Sequence, residues 1–150
     1  MPYDFEGWAT KNDLVCADGL TIKKDAFKVN DGKTVPLVWN HQHNKVADVL
    51  GHAVLENRDE GVYARCSFND TQAGRDAKKA VLHGDVTALS IWANNLHQVG
   101  MDILHGVIRE VSLVLAGANP GAFIESVLAH SEPIGEGEDE GIFYTDEGIF

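Results

Sequence analysis

Only two cysteines, Cys16 and Cys66, occur in the 150 residues, far apart and without a Cys-x-x-Cys spacing. That scarcity excludes a disulfide framework and a zinc knuckle built on paired cysteines, and points to buried, reduced thiols. Basic residues are also few, 12 against 23 acids, and they form neither a basic stripe nor an aromatic-basic platform. Direct nucleic-acid binding is therefore excluded on electrostatic grounds. Long apolar runs are missing: no stretch approaches the ~20 apolar residues of a membrane span. The start, Met1-Pro2-Tyr3-Asp4-Phe5-Glu6, lacks a basic region followed by an apolar run. The expectation is a protein that stays in a cytoplasm.

What is present is enough for one domain with a true core, since 44% of the residues are hydrophobic. The net charge of −11 is unevenly spread. Ser131 to Phe150 holds seven of the 23 acids and no Lys or Arg, leaving 16 acids against 12 bases, a net −4, elsewhere. This divides the chain into a folded domain over 1–130 and an acidic tail over 131–150. The tail's acidic, Gly-rich composition predicts disorder, because it buries too little apolar surface to offset the entropy of ordering. Within it Asp139-Glu140-Gly141-Ile142-Phe143 recurs as Asp146-Glu147-Gly148-Ile149-Phe150, two copies being too few for a repeat fold. The tail reads as a docking peptide, a self-cleavage site or a solvated acidic terminus.

Short β-type segments separated by Gly, Asn and Asp turns dominate the body, predicting an α+β fold weighted towards β. Val35 to His41 is an apolar run ending in a polar cluster. Val46 to Asn57 and Val62 to Phe68 flank Arg58-Asp59-Glu60-Gly61 as a hairpin with one face in and one out. A single helix is expected over Ala73 to His83, with N-cap chemistry in Asn69-Asp70-Thr71 and Gly84 at the left-handed C-terminal position. Val86 to Ala93 then reads as a strand with Leu89 and Ile91 on one face and Ser90 on the other. Val107 to Leu115 places Val111, Leu113 and Leu115 opposite Glu110 and Ser112. Ala116 to Gly121 is a loop by composition, and Ala122 to Ala129 a short closing helix or strand.

A serine hydroxyl is a poor nucleophile unless a neutral imidazole takes its proton and a third group orients that imidazole. His41 and His43, in Trp39-Asn40-His41-Gln42-His43-Asn44, end an apolar strand where a rigid element meets a loop, a position that suits a catalytic group. Ser90, inside an apolar strand, is either a small packing residue or a nucleophile. His41, His43 and His52 also raise a metal-hydrolase alternative, because alternate strand residues point the same way.

Leu37-Val38-Trp39-Asn40-His41, Ala88-Leu89-Ser90-Ile91, Glu110-Val111-Ser112-Leu113-Val114 and Ala118-Asn119-Pro120-Gly121-Ala122 occur in that order. Together they resemble the prohead (capsid-maturation) proteases of tailed phages, whose fold is similar to the herpesvirus capsid-assembly protease. The resemblance runs from about Phe5 to Val127 and includes the Gly84 that precedes the Ser strand. It implies a small β-barrel with flanking helices, Ser90 as nucleophile and His41 as general base. For the third member, where herpesvirus relatives use a second His, it points to Glu110, with Asp102 and His105 as alternatives; Ser112 is read as packing. Where the family often continues Leu-Ser-Ile with Gly and an aromatic residue, this chain has Trp92-Ala93.

Backbone N–H groups of Gly117, Ala118 and Asn119 are the candidate oxyanion donors. The implied function is a cofactor-free serine endopeptidase that cuts major capsid and scaffold proteins, and itself, within the assembling procapsid in the host cytoplasm. Self-association at high local concentration is compatible with that setting. The rival from another class is a non-enzymatic assembly module that only binds capsid or scaffold.

Overall fold

In a computed structural model of the chain, residues 3–128 are described. The acidic tail and the boundary proposed near residue 130 lie outside them. The strands are β1 (Phe5–Lys11), β2 (Thr21–Ile22), β3 (Thr34–Trp39), β4 (Val49–Arg58), β5 (Gly61–Phe68), β6 (Ala88–Val99), β7 (Asp102–Val114) and β8 (Ile124–Val127). One helix, α1 (Gln72–Leu82), lies between β5 and β6. The protein is thus β-dominated α+β, as the alternation of short apolar segments predicts.

All the strands join one sheet in the order β2-β7-β3-β4-β5-β1-β8, with β6 on the other side of β7. The expected small barrel is not formed. The paired strands end at β8, and only an isolated bridge, Ala88 to Phe123, spans from β6 to the approach to β8. Around that bridge Leu89 N–H donates to the Ala122 carbonyl at 3.0 Å and Ile124 N–H to Thr87 at 2.9 Å. The reason lies in the short β8 and in a register shift between Glu6 and Gly7 where β1 meets it. Four residues beside a shift are too few to carry a ladder across the gap. Nor are there several flanking helices: α1 is the single α-helix among the described residues, joined by two three-residue 3-10 turns.

The helix forms where its caps predict. Thr71 is the N-cap and its Oγ1 accepts from Gly74 N–H at 3.0 Å. His83 ends the helix and Gly84 follows at φ +78°, the left-handed position glycine fills without a Cβ clash. The β4–β5 hairpin is also where the turn residues put it, with Arg58 opposite Gly61. Its second arm, however, is not one face in and one face out. Val62, Ala64 and Cys66 are buried, and so is Tyr63. β1 supplies the cover: the Trp8 ring meets Tyr63 edge-on at 5.0 Å, and the Arg58 guanidinium stacks 3.7 Å from the Tyr63 ring centroid.

Glu125 of β8 fastens this cover, accepting from Tyr63 Oη at 2.8 Å and Trp8 Nε1 at 2.9 Å. Those bonds, Tyr63's first, hold the Glu125 carboxyl below its ordinary range. Burial, then the same bond, pushes the Tyr63 phenol up to about 12. A carboxyl with a depressed folded-state pKa adds stability above its unfolded-state value of ~4.3 and loses it as pH falls through the folded one. Wild type is therefore expected to melt above Glu125→Gln at pH 7, with the gap closing below about pH 4. Thermal melts from pH 7 to 2 check this, and a constant gap would contradict it.

The core is formed by Phe5, Leu37, Leu55, Leu89, Ile108, Val111 and Leu113, all at most 1% exposed. Both cysteines are free and buried, and burial raises both thiol pKa values. β6 and β7 form a hairpin that runs well past this core. Its outer part, including Leu96, Val99, Met101 and Leu104, is exposed. No helix among the described residues is long and apolar enough to cross a membrane.

Candidate active site

Three neighbouring strands carry the candidate residues. β7 lies between β6 and β3, pairing antiparallel with β6 and parallel with β3. In register, Ser112 of β7 faces Ser90 of β6 on one side and Val38 of β3 on the other. The polar residues Glu110 and Ser112, two apart on β7, share a face, and the chain leaving β3 brings His41 over it.

That placement depends on a tight turn directly after β3. Asn40 and His41 both have positive φ, +49° and +60°, the φ signs of a type I′ turn. Gln42 N–H donates to the Trp39 carbonyl at 2.9 Å to close it. A non-glycine residue in this region costs about 1–2 kcal/mol, and two bonds to β7 offset the cost. Asn40 N–H donates to the Leu113 carbonyl and His41 N–H to Ser112 Oγ, both at 2.9 Å. Ser112 is therefore a polar anchor for the histidine turn, not the packing residue expected.

The side chains then line up. His41 Nε2 lies 3.0 Å from Ser90 Oγ, and His41 Nδ1 lies 3.1 Å from Glu110 Oε2. The Glu110 side chain is only 4% exposed, whereas His41 is 37% exposed. Asp102 and His105, the alternative third members, both lie on the outer part of β7, away from this line: Asp102 pairs with Val99 and His105 with His97 of β6. Glu110 is neither solvated nor paired with an arginine. Arg109 Nε donates to Asn94 Oδ1, and Arg65 pairs with Glu6 and Glu56.

A buried carboxylate must be matched by donors. Glu110 has three: His41 Nδ1, Ser112 Oγ at 3.4 Å, and His43 Nδ1, which reaches Oε1 at 2.7 Å. With Glu110 ionised, and so only accepting, both imidazoles would present Nδ1–H to it. For His41 that would leave the Nε2 lone pair facing Ser90 Oγ. From the sequence His43 has a strand-end position suited to a catalytic group and a place in the metal alternative, but no link to Glu110. Strand alternation does not place it, because β3 ends at Trp39 and His43 follows the left-handed turn at Asn40 and His41. His52 is not brought to Glu110; it is exposed on β4, opposite Pro36 and Ser67. No grouping of three or more His, Cys, Asp or Glu suited to a metal ion occurs among the described residues.

The loop 117–119 packs behind the serine strand. A Cβ on Gly117 would stand 2.6 Å from the Leu89 carbonyl oxygen, so glycine lets the loop reach the residue preceding Ser90. The buried Asn119 amide is occupied by the fold, donating to Thr10 Oγ1 at 2.9 Å and the Lys11 carbonyl at 2.8 Å. Ser90, Trp92, Ala118 and Asn119 border a pocket of about 200 Å³ that reaches Leu20 and Phe27.

A hydroxyl, an imidazole with its acceptor nitrogen on that hydroxyl, and a buried carboxylate on the opposite nitrogen make an arrangement suited to nucleophilic acyl transfer. The family model for the caudovirus prohead serine protease matches residues 5–136. The chain belongs to that family. The match takes in β1 to β8, and with them Ser90, His41 and Glu110. Membership of the prohead serine proteases makes serine-peptidase chemistry in phage capsid maturation, within the assembling procapsid, the class of activity for this fold. Neither the curated proteins nor the solved structures yielded a match, so the likeness to the herpesvirus protease stays an implication of the family resemblance.

Proposed function

We propose that this prohead protease is an endopeptidase that cuts major capsid and scaffold proteins, and itself, with Ser90 as nucleophile, His41 as general base and Glu110 as the orienting carboxylate. The observation that carries the reading is the unbroken line Ser90 Oγ, His41 Nε2, His41 Nδ1, Glu110 Oε2, with contacts of 3.0 and 3.1 Å.

In this reading His41 Nε2 takes the Ser90 proton as Oγ attacks the scissile carbonyl carbon, and negative charge moves to the carbonyl oxygen. The imidazolium is stabilised by Glu110, which remains ionised. Collapse of the tetrahedral intermediate breaks the C–N bond, and His41 gives its proton to the leaving amine. Water then attacks the acyl-serine ester, passes a proton to His41, and the acid product leaves as that proton returns to Ser90 Oγ. Backbone N–H groups of Gly117, Ala118 and Asn119 are the proposed oxyanion donors, supported by the close approach of Gly117 to Leu89. The pocket beside Ser90 has Ile91, Leu20 and Phe27 in its lining, and the Thr10 and Asn119 polar groups there bond to each other. It suits an apolar side chain next to the cut bond.

The test is labelling with a fluorophosphonate, followed by mass mapping of the modified peptide, alongside incubation with the capsid and scaffold proteins. The expected result is a single phosphonylated residue, Ser90, and discrete scaffold or capsid fragments that the label suppresses. An unlabelled Ser90 with unchanged capsid and scaffold proteins would favour the non-enzymatic assembly module.

A further inference from the structure

Glu110 is gripped by two imidazoles, one on each oxygen, and the shorter bond is not the one to His41. His43 Nδ1 lies 2.7 Å from Oε1, against 3.1 Å for His41 Nδ1 to Oε2. His43 is itself held from behind. The Trp92 ring packs on it with centroids 5.5 Å apart and planes tilted by 39°. Trp92 stands on β6 directly opposite Glu110 on β7, next to a register shift between Trp92 and Ala93. Trp92 thus sits where a second imidazole needs a backing.

A glutamate has three side-chain torsions, and its terminal carboxylate torsion is broad. One hydrogen bond does not fix where its oxygens point. We propose that His43, backed by Trp92, is a positioning residue that pins Glu110 Oε1 so that Oε2 stays aimed at His41 Nδ1. The proposal rests on the assignment of Ser90, His41 and Glu110 made above. The work is done by the Nδ1–H donor and not by bulk: His43 is 48% exposed, so truncating it removes little packing. Two features distinguish it from a simple surface ion pair. Its acceptor is almost fully buried, and that acceptor's other oxygen serves the ring of the proposed general base directly.

The test compares His43→Phe, which keeps a ring against Trp92 but offers no N–H, with His43→Asn, whose amide N–H takes roughly the place of Nδ1. For cleavage of a scaffold or capsid peptide, His43→Phe is expected to lower kcat roughly 10- to 100-fold with KM nearly unchanged, since small misplacements of a catalytic group cost up to about 10². His43→Asn is expected to recover most of it. An Asn variant as poor as Phe, or a Phe variant as good as wild type, overturns the proposal. A second readout is independent of peptidase activity. In proton NMR the hydrogen-bonded Nδ1–H of His41 is expected to move upfield and exchange faster with water in His43→Phe, and to return in His43→Asn. An unmoved His41 signal in His43→Phe would overturn the positioning role, whether or not the protein cleaves anything. Failure of fluorophosphonate labelling in wild type, with the His41 signal shifting as expected, would instead sink the protease assignment alone.

Discussion

Ser90→Ala is expected to remove cleavage of scaffold and capsid substrates, by about 10⁶ in kcat, and Glu110→Gln to lower it by about 10⁴. The Glu110 loss follows from the hydrogen-bond inventory of the site. Glu110 accepts from His41 on one oxygen and from His43 on the other. A carboxamide offers one oxygen and one NH₂, so it cannot accept from both. If its oxygen stays with His43 at the shorter contact, its NH₂ faces His41 Nδ1, and that nitrogen must become the acceptor. The His41 proton then sits on Nε2, directed at Ser90 Oγ, and the imidazole can no longer take the serine proton. Ser90→Ala combined with Glu110→Gln is expected to be no slower than Ser90→Ala alone, because residues acting as one unit do not lose rate additively. Single-turnover cleavage assays, with circular dichroism to verify folding, measure all three. A Glu110→Gln enzyme within tenfold of wild type would remove Glu110 from the site.

The parts of the fold legible in the sequence are those where local chemistry leaves little choice. Thr71 and Gly84 bracket α1 because a capping hydroxyl and a left-handed glycine have few other uses. The polar face of β7 is legible because period-two alternation puts Glu110 and Ser112 together whatever the strand pairs with. What alternation does not carry is partnership. Tyr63 reads as outward-facing, but β1 comes from 50 or so residues earlier in the chain and buries it under Trp8, a pairing set by tertiary contact. The outer arms of β6 and β7 do not read as strand because Asn94, Asn95, His97 and Gln98 neither alternate nor bury; cross-strand pairing at Asn94, His97 and Gln98 holds them, with register shifts along the way. Ser112 reads as packing because a small residue between apolar neighbours looks alike in either role. Its Oγ meets His41 only because of the left-handed turn at Asn40 and His41; both residue types are enriched at positive φ, but that enrichment alone does not place a turn there.

The largest loss of stability is expected from Leu113→Ala. Leu113 is 1% exposed and lies between the two strands that carry the catalytic candidates, opposite Leu89 of β6 and Trp39 of β3. Truncating it removes the transfer energy of the buried carbons and leaves a cavity, a combined cost of about 2–5 kcal/mol. For a chain of this size that corresponds to a fall in Tm of roughly 5–15 °C. Leu115 is the matched control, since sequence alternation alone puts it on the same apolar face. The structure leaves it 75% exposed, because β7 ends at Val114 and the chain turns away. Leu115→Ala is accordingly expected to stay within about 0.5 kcal/mol of wild type. Chemical denaturation of both variants decides the matter: a midpoint shift confined to Leu113→Ala, with an unchanged slope, marks a core loss rather than a change in the unfolded chain. Equal shifts for the two leucines would mean that β7 continues and that Leu115 faces the core. Because the backbone carbonyl of Leu113 also accepts from Asn40 N–H, the cavity lies directly under the turn that presents His41. At temperatures where Leu113→Ala is still folded, its kcat is expected to fall further than its KM rises, since the strands holding Ser90 and His41 are then spaced by a void instead of a side chain.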